Sequence, residues 1–235
     1  MTPDVLHVLC AGAVKGLVTA LEPRFNGETG ATLDARFGAV GAMKEALLGG
    51  ARCDVMIVTH AMVRALQTDG LLRIEVLAAL GRVRTGVAVR EGEALPDVST
   101  PQALKARLLM AGAVFFPDPE RATAGIHFAS VLDRLGVRET LTPRLRTFPN
   151  GATAMRELAA DRTPGAIGCT QITEILYTPG VVLAGALPDS FELATVYGAA
   201  ISTRAAHPGL AQHFVDLLSG DDTRALRAQG GFELD

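Results

Sequence analysis

The sequence predicts an α/β fold of two lobes, each an open mixed sheet flanked by helices, and three observations carry that prediction. Strand-like and helix-like segments alternate along the chain, the pattern that crossover connections between parallel strands require. Short continuous apolar runs, Val55 to Val58, Ala113 to Phe116 and Ala166 to Cys169, suit strands covered on both faces. Small residues occupy the points where strands should turn into helices, at Ala11-Gly12-Ala13 and at Gly38-Ala39-Val40-Gly41. With 235 residues, 49% of them hydrophobic, the chain can build one large core or two smaller ones. Two are expected: residues 1–84 with 197–235 as lobe 1, and 85–196 as lobe 2. Crossings near Thr85 and near Leu193 to Val196 would form a hinge between them.

Lobe 1 opens with a strand from Val5 to Cys10, followed by a helix carrying Leu17, Val18 and Leu21 and by a strand from Ala31 to Phe37. A helix with Met43, Ala46 and Leu47 on its apolar face follows, and Gly49-Gly50 stops it. The strand Val55 to Val58 then presents Thr59 and His60 at its carboxyl end, where ligands of open α/β sheets collect. In lobe 2, Thr85 to Val89 reads as a short strand, and Ser99-Thr100-Pro101 caps a helix over Gln102 to Leu108. The strand Ala113 to Phe116 leads through Pro117 to Gly125 into a helix from Ile126 to Leu135. Asn150 reads as the N-cap of a helix containing Met155, Leu158 and Ala159. The strand Ala166 to Cys169 delivers Thr170 and Gln171 to the same edge. A strand from Thr195 to Ser202 returns to lobe 1, completed by helices over Gly209 to Leu218 and Thr223 to Gln229.

Together these segments resemble the periplasmic type II solute-binding proteins, and among them the molybdate-binding branch of ABC transporter receptors. The likeness is carried by the small-residue turn after the first strand, by the helix ending in Phe25-Asn26-Gly27-Glu28-Thr29-Gly30, and by the Gly-x-x-Gly turn. It is also carried by Cys53-Asp54-Val55, where that family usually has Ala-Asp-Val, by the stretch Gly165 to Ile175, and by the closing Arg224 to Phe232. Nearly the whole chain is covered. The resemblance implies a two-lobed type II periplasmic-binding-protein fold that closes on a small anion, with no cofactor and no metal.

Departures from that family bear on the ligand. Molybdate binders present serine hydroxyls in their first two turns, whereas this chain has Ala11, Gly12 and Ala13 in one and Ala39, Val40 and Ala42 in the other. Losing two hydroxyl hydrogen bonds to a charged ligand, each of about 1 kcal/mol or more, argues against molybdate. Turns lined only by backbone N–H groups suit a larger anion, an organic di- or tricarboxylate. The expected contacts in lobe 1 are Gly12, Ala13, Lys15, Ala39, Val40, Thr59 and His60. Arg84, at the end of the first stretch of lobe 1, is a further expected contact, and in lobe 2 they are Arg121, the N–H groups of Thr123, Ala124 and Gly125, and the side chains of Asn150, Thr170 and Gln171.

Three function classes remain open. One is a receptor that hands a carboxylate to an ABC transporter permease. The second is an enzyme on the same scaffold; aconitate isomerase resembles these receptors, and on that reading His60 or His127 takes a proton from an allylic tricarboxylate and returns it elsewhere. The third is a cytoplasmic metabolite sensor. A net charge of −3 and a pI near 6 give no basic face for nucleic acid. No apolar run reaches the roughly 20 residues of a membrane span. Cys10, Cys53 and Cys169 match no zinc spacing and read as packed thiols, with Cys10, at the end of the first strand, the candidate for any thiol chemistry. The start at Met1-Thr2-Pro3-Asp4 carries no signal-peptide pattern. A periplasmic location is expected if a signal has been removed, and a cytoplasmic one if the chain is native as written.

Overall fold

The computed structural model describes residues 3–73, 75 and 77–234. In chain order, the first elements are β1 (Val5–Ala11), α1 (Lys15–Thr29), β2 (Thr32–Gly38), α2 (Val40–Leu48), β3 (Val55–Thr59), α3 (His60–Thr68) and β4 (Ala78–Arg90). Next come α4 (Pro101–Met110), β5 (Val114–Pro117), α5 (Thr123–Arg134), α6 (Arg138–Leu141), β6 (Leu145–Phe148), α7 (Gly151–Ala160), β7 (Ile167–Gln171) and α8 (Ile172–Leu176). The chain ends with β8 (Val181–Ala186), β9 (Ala194–Ile201), α9 (Pro208–Ser219) and α10 (Arg224–Gln229). Two compact units result, Met1–Arg82 with Thr195–Asp235, and Val83–Ala194. The breaks fall at 82/83 and 194/195, where the sequence reading put 84/85 and 196/197.

In the first unit, β1 lies between β2 and β3 and runs parallel to both, with Val5 opposite Thr32 and Val8 opposite Val55. β9 closes on β3 antiparallel, Val55 opposite Ile201. Val55 to Val58 are all buried, so the continuous apolar run does form a strand covered on both faces. α1 packs on α9, where the Phe25 ring meets Phe214 edge-on at 5.2 Å. Asp54, 2% exposed, fixes the amino ends of three elements. Its Oδ2 accepts from the His7 N–H at 2.8 Å, and its Oδ1 accepts from the N–H groups of Ala206 at 2.6 Å and His207 at 3.3 Å, just before α9.

In the second unit, β5 lies between β6 and β7, all parallel, and β4 runs antiparallel to β7 with Thr85 opposite Gln171. Two apolar cores cover the sheet. One holds Phe128, Val131 and Leu132 of α5 against Val87, Phe116 and Cys169. The other holds Ala154, Met155 and Leu158 of α7 against Ala88, Ala113 and Phe115.

Three expectations need correction. The strand expected over Thr85 to Val89 is the 13-residue β4; Arg82 and Arg84 interrupt its apolar run, but Arg82 and Glu233 exchange backbone hydrogen bonds of 2.8 and 2.7 Å that carry the strand through. β8 had no counterpart in the sequence reading, and it pairs with β4 through Val181 to Ala186. α5 begins at Thr123 rather than Ile126, so Thr123, Ala124 and Gly125 form its first turn.

Candidate functional site

Each unit gathers its candidate residues at the carboxyl edge of its parallel strands. In the first unit, Gly12 and Ala13 follow β1, Ala39 and Val40 follow β2, and Thr59 and His60 follow β3. These strands are neighbours, so six of the expected positions share one edge. The Lys15 ammonium lies 5.5 Å over the Phe37 ring, which fixes a cation at this edge between the ends of β1 and β2. In the second unit, Arg121, Thr123, Ala124 and Gly125 follow β5, Asn150 follows β6, and Thr170 and Gln171 end β7.

Capping sorts these helix starts into two kinds. Ala11 stands at the cap position of the turn after β1, Ala39 at that of α2 and Ala122 at that of α5, and none of the three has a side-chain cap. Ala13, Ala39, Val40, Ala124 and Gly125 are all buried at these starts. The other two starts are closed by the chain itself. Thr59 Oγ1 accepts from the Met62 N–H at 3.3 Å on α3, and Asn150 Oδ1 accepts from the Thr153 N–H at 2.9 Å on α7.

Several candidate side chains already have partners within the chain. Arg84 faces Glu192, Nε to Oε1 at 3.8 Å. His127 lies with Nε2 2.7 Å from the Phe191 carbonyl oxygen, so this ring nitrogen donates and ties α5 to the segment before β9. Thr170 donates its hydroxyl proton to Glu174 Oε2 at 2.5 Å. The exposed Arg121 donates its backbone N–H to Asp118 Oδ1 at 3.1 Å, in the turn before α5. His60 opens α3, where its Nε2 accepts from Arg64 Nε at 3.3 Å on an exposed surface. Gln171 differs from all of these. It is 2% exposed, and neither its Nε2 nor its Oε1 has a hydrogen-bond partner among the described residues.

Sequence reasoning missed Glu174. Its carboxylate, 4% exposed, accepts from the N–H groups of Gly151, Ala152 and Gln171 as well as from Thr170. It therefore fills the N-terminus of α7 that Asn150 begins. Burial pushes its pKa up to about 7 against the pull of those donors. A Cβ on Gly151 would fall inside contact distance of the Glu174 carboxylate and the Thr170 hydroxyl, so glycine is required there. The signal in the sequence was slight: an acid four residues after a threonine, matched by a glycine more than twenty residues upstream.

The thiols are packed inside the chain. All three cysteines are buried and free. Burial raises Cys10 and Cys169 well above the ordinary thiol range and pushes Cys53 up to about 12, which disfavours the thiolate at all three. Among the described residues, no group of three metal-ligating side chains comes together, and no helix is long and apolar enough to cross a membrane. A cavity of about 390 Å³ lies at the opposite, amino-terminal edge of the first unit, lined by Asp4, His7, Arg52, Arg204 and His207.

Residues 6–233 match a family described as bacterial extracellular solute-binding protein. The chain belongs to that family. Among solved structures, the fold is similar to the periplasmic molybdate-binding protein of Azotobacter vinelandii, with a TM-score of 0.80 at 19% identity over 98% of this chain and 99% of that one. It is also similar to a sulfate-binding protein of Mycobacterium tuberculosis, with a TM-score of 0.72 at 16% identity over 97% of this chain and 86% of that one. A curated relative, an aconitate isomerase from a Pseudomonas species, is 26% identical over 223 residues, 92% of this chain and 83% of that protein. Membership of the solute-binding family and the likeness to two-domain periplasmic binding proteins establish the type II periplasmic-binding-protein fold.

Proposed function

We propose that this solute-binding protein takes a small organic di- or tricarboxylate and, as a receptor, presents it to an ABC transporter permease. One observation carries the reading. The turn after β1 and the helices after β2 and β5 each follow an alanine at the cap position, carry no side-chain cap and bury residues of their first turn. Helix starts of this kind favour an anion. The ring-held Lys15 adds a positive charge at the first unit's edge. Neither the turn after β1 nor the one after β2 offers a hydroxyl, which favours a carboxylate over the small oxyanions that name the molybdate- and sulfate-binding neighbours.

The test is a thermal-shift screen followed by titration calorimetry with citrate, tricarballylate, malate, succinate, molybdate and sulfate. Carboxylates should bind and the two inorganic oxyanions should not; the reverse order of affinity overturns the reading. Lys15→Met should weaken carboxylate binding by about 1 to 2 kcal/mol, the scale of a hydrogen bond to a charged group. Unchanged calorimetry with that variant removes Lys15 from the site.

The aconitate isomerase relative favours a second reading, in which the same edges hold an aconitate and a side chain moves its proton. His60 is the candidate base at the first unit's edge, where its Nε2 carries the lone pair that meets Arg64 Nε; His127, whose Nε2 donates to Phe191 and leaves the lone pair on Nδ1, is the alternative. A proton NMR time course with cis- and trans-aconitate in D2O tests this directly. Interconversion faster than a protein-free control establishes the enzyme, and unchanged aconitate excludes it. If the enzyme is established, His60→Ala should lower turnover by about 10² or more, the scale of general base catalysis, while affinity moves only a few-fold. Equal losses in kcat/KM and affinity would make His60 a binding residue.

A further inference from the structure

In the second unit, the two faces of the sheet differ at the carboxyl edge. Along β7, side chains alternate between faces. Gly168 and Thr170 belong to the α7 face: a Cβ on Gly168 would meet Met155 and Leu158, and Thr170 donates to Glu174. That face is closed, because the Glu174 carboxyl group fills the start of α7. Cys169 and Gln171 belong to the opposite face, where Cys169 packs in the core with Phe128 of α5. Ala124 precedes Phe128 by one helical turn, and Gln171 follows Cys169 by one step of its face. β5 and β7 are parallel and α5 runs back from the end of β5, so both shifts lead to the carboxyl edge. The uncapped start of α5 and the Gln171 amide thus share one face and one edge.

A second buried polar group accompanies the amide. Thr85 is the cross-strand partner of Gln171 and follows the same face as Val87, a member of the α5-side core. It is 1% exposed, and its Oγ1 has no hydrogen-bond partner among the described residues. Leaving such a group buried without a partner is unfavourable, so a pair at one edge suits a place where a ligand completes the bonding. A carboxylate satisfies the amide N–H but leaves Oε1 without a donor, because an ionised carboxylate only accepts. A hydroxyl on the carbon beside the carboxylate supplies that donor. An α-hydroxycarboxylate offers acceptor and donor side by side, the complement of a primary amide.

Resting on the carboxylate reading above, we infer that Gln171, assisted by Thr85, is a specificity-determining residue that selects a carboxylate bearing an adjacent hydroxyl. Two ligand pairs differ only in that hydroxyl, citrate against tricarballylate and malate against succinate. Titration calorimetry on the full chain should show the hydroxylated member of the tighter-binding pair favoured at least tenfold. In Gln171→Met the ratio should fall to about one, and in Thr85→Val, a near-isosteric change that keeps the strand pairing, it should fall several-fold. Equal affinity within both pairs in the unaltered protein overturns the inference while leaving the carboxylate reading intact, and so does a ratio that survives Gln171→Met in folded protein. Binding of neither pair overturns the carboxylate reading and this inference with it.

Discussion

Gly125→Ala should destabilise the second unit by about 3 kcal/mol, the upper end of what inserting a single carbon into a packed site costs. An added Cβ would fall inside contact distance of the carbonyl oxygens of both Pro117 and Asp118. Those are backbone atoms at the end of β5 and in the turn before α5, so no side-chain rotation relieves the clash. The strand would have to part from the helix start, and the buried N–H groups at Ala124 and Gly125 would move with it. Ligand affinity should therefore fall together with stability. Gly27→Ala is the control. It lies within α1, where nothing is within 4 Å of an added Cβ, and should stabilise by about 0.5 to 1 kcal/mol through helix propensity alone. Urea unfolding followed by far-ultraviolet circular dichroism measures both. A Gly125→Ala midpoint equal to that of the unaltered protein would show that α5 does not start as close to β5 as described.

Local pattern accounts for what the sequence made legible. Alternating apolar strands and amphipathic helices are encoded by neighbours, and Asn150 and Thr100 announce their helices because a cap acts within three residues of itself. The alanine and glycine turns at the carboxyl edges were legible for the same reason. The missing information was long-range. The partner of His127 is long-range: Phe191, 64 residues away, accepts from its Nε2 and so leaves the lone pair on Nδ1. Arg84 looked like an anchor for a ligand until Glu192 came to face it. β8, with the sequence VVLAGA, escaped notice because small residues carry little periodicity; its strand character comes from pairing with β4. Thr170 and Gln171 show the limit most clearly. They are adjacent and were read as equivalent donors, yet strand alternation gives one to Glu174 inside the chain and leaves the other without a partner.

The pH dependence of stability should carry the mark of Glu174. Its ordinary pKa is 4.5, and burial raises it to about 7 in the folded protein. The folded state therefore binds the proton more tightly than the unfolded state. Stability from this group is fully present below about pH 4.5, falls as pH rises from there to about 7, and stays low above that. The shift corresponds to about 3 kcal/mol between the two plateaus. Comparing the unaltered protein with Glu174→Gln cancels the other titrating groups. Relative to the variant, the unaltered protein should gain most of that 3 kcal/mol between pH 8 and pH 5 in urea unfolding. The variant itself carries a cost at every pH, because its amide turns N–H groups toward the N–H donors of Gly151, Ala152 and Gln171. A difference between the two proteins that does not change with pH would mean that the carboxyl group is not held as described.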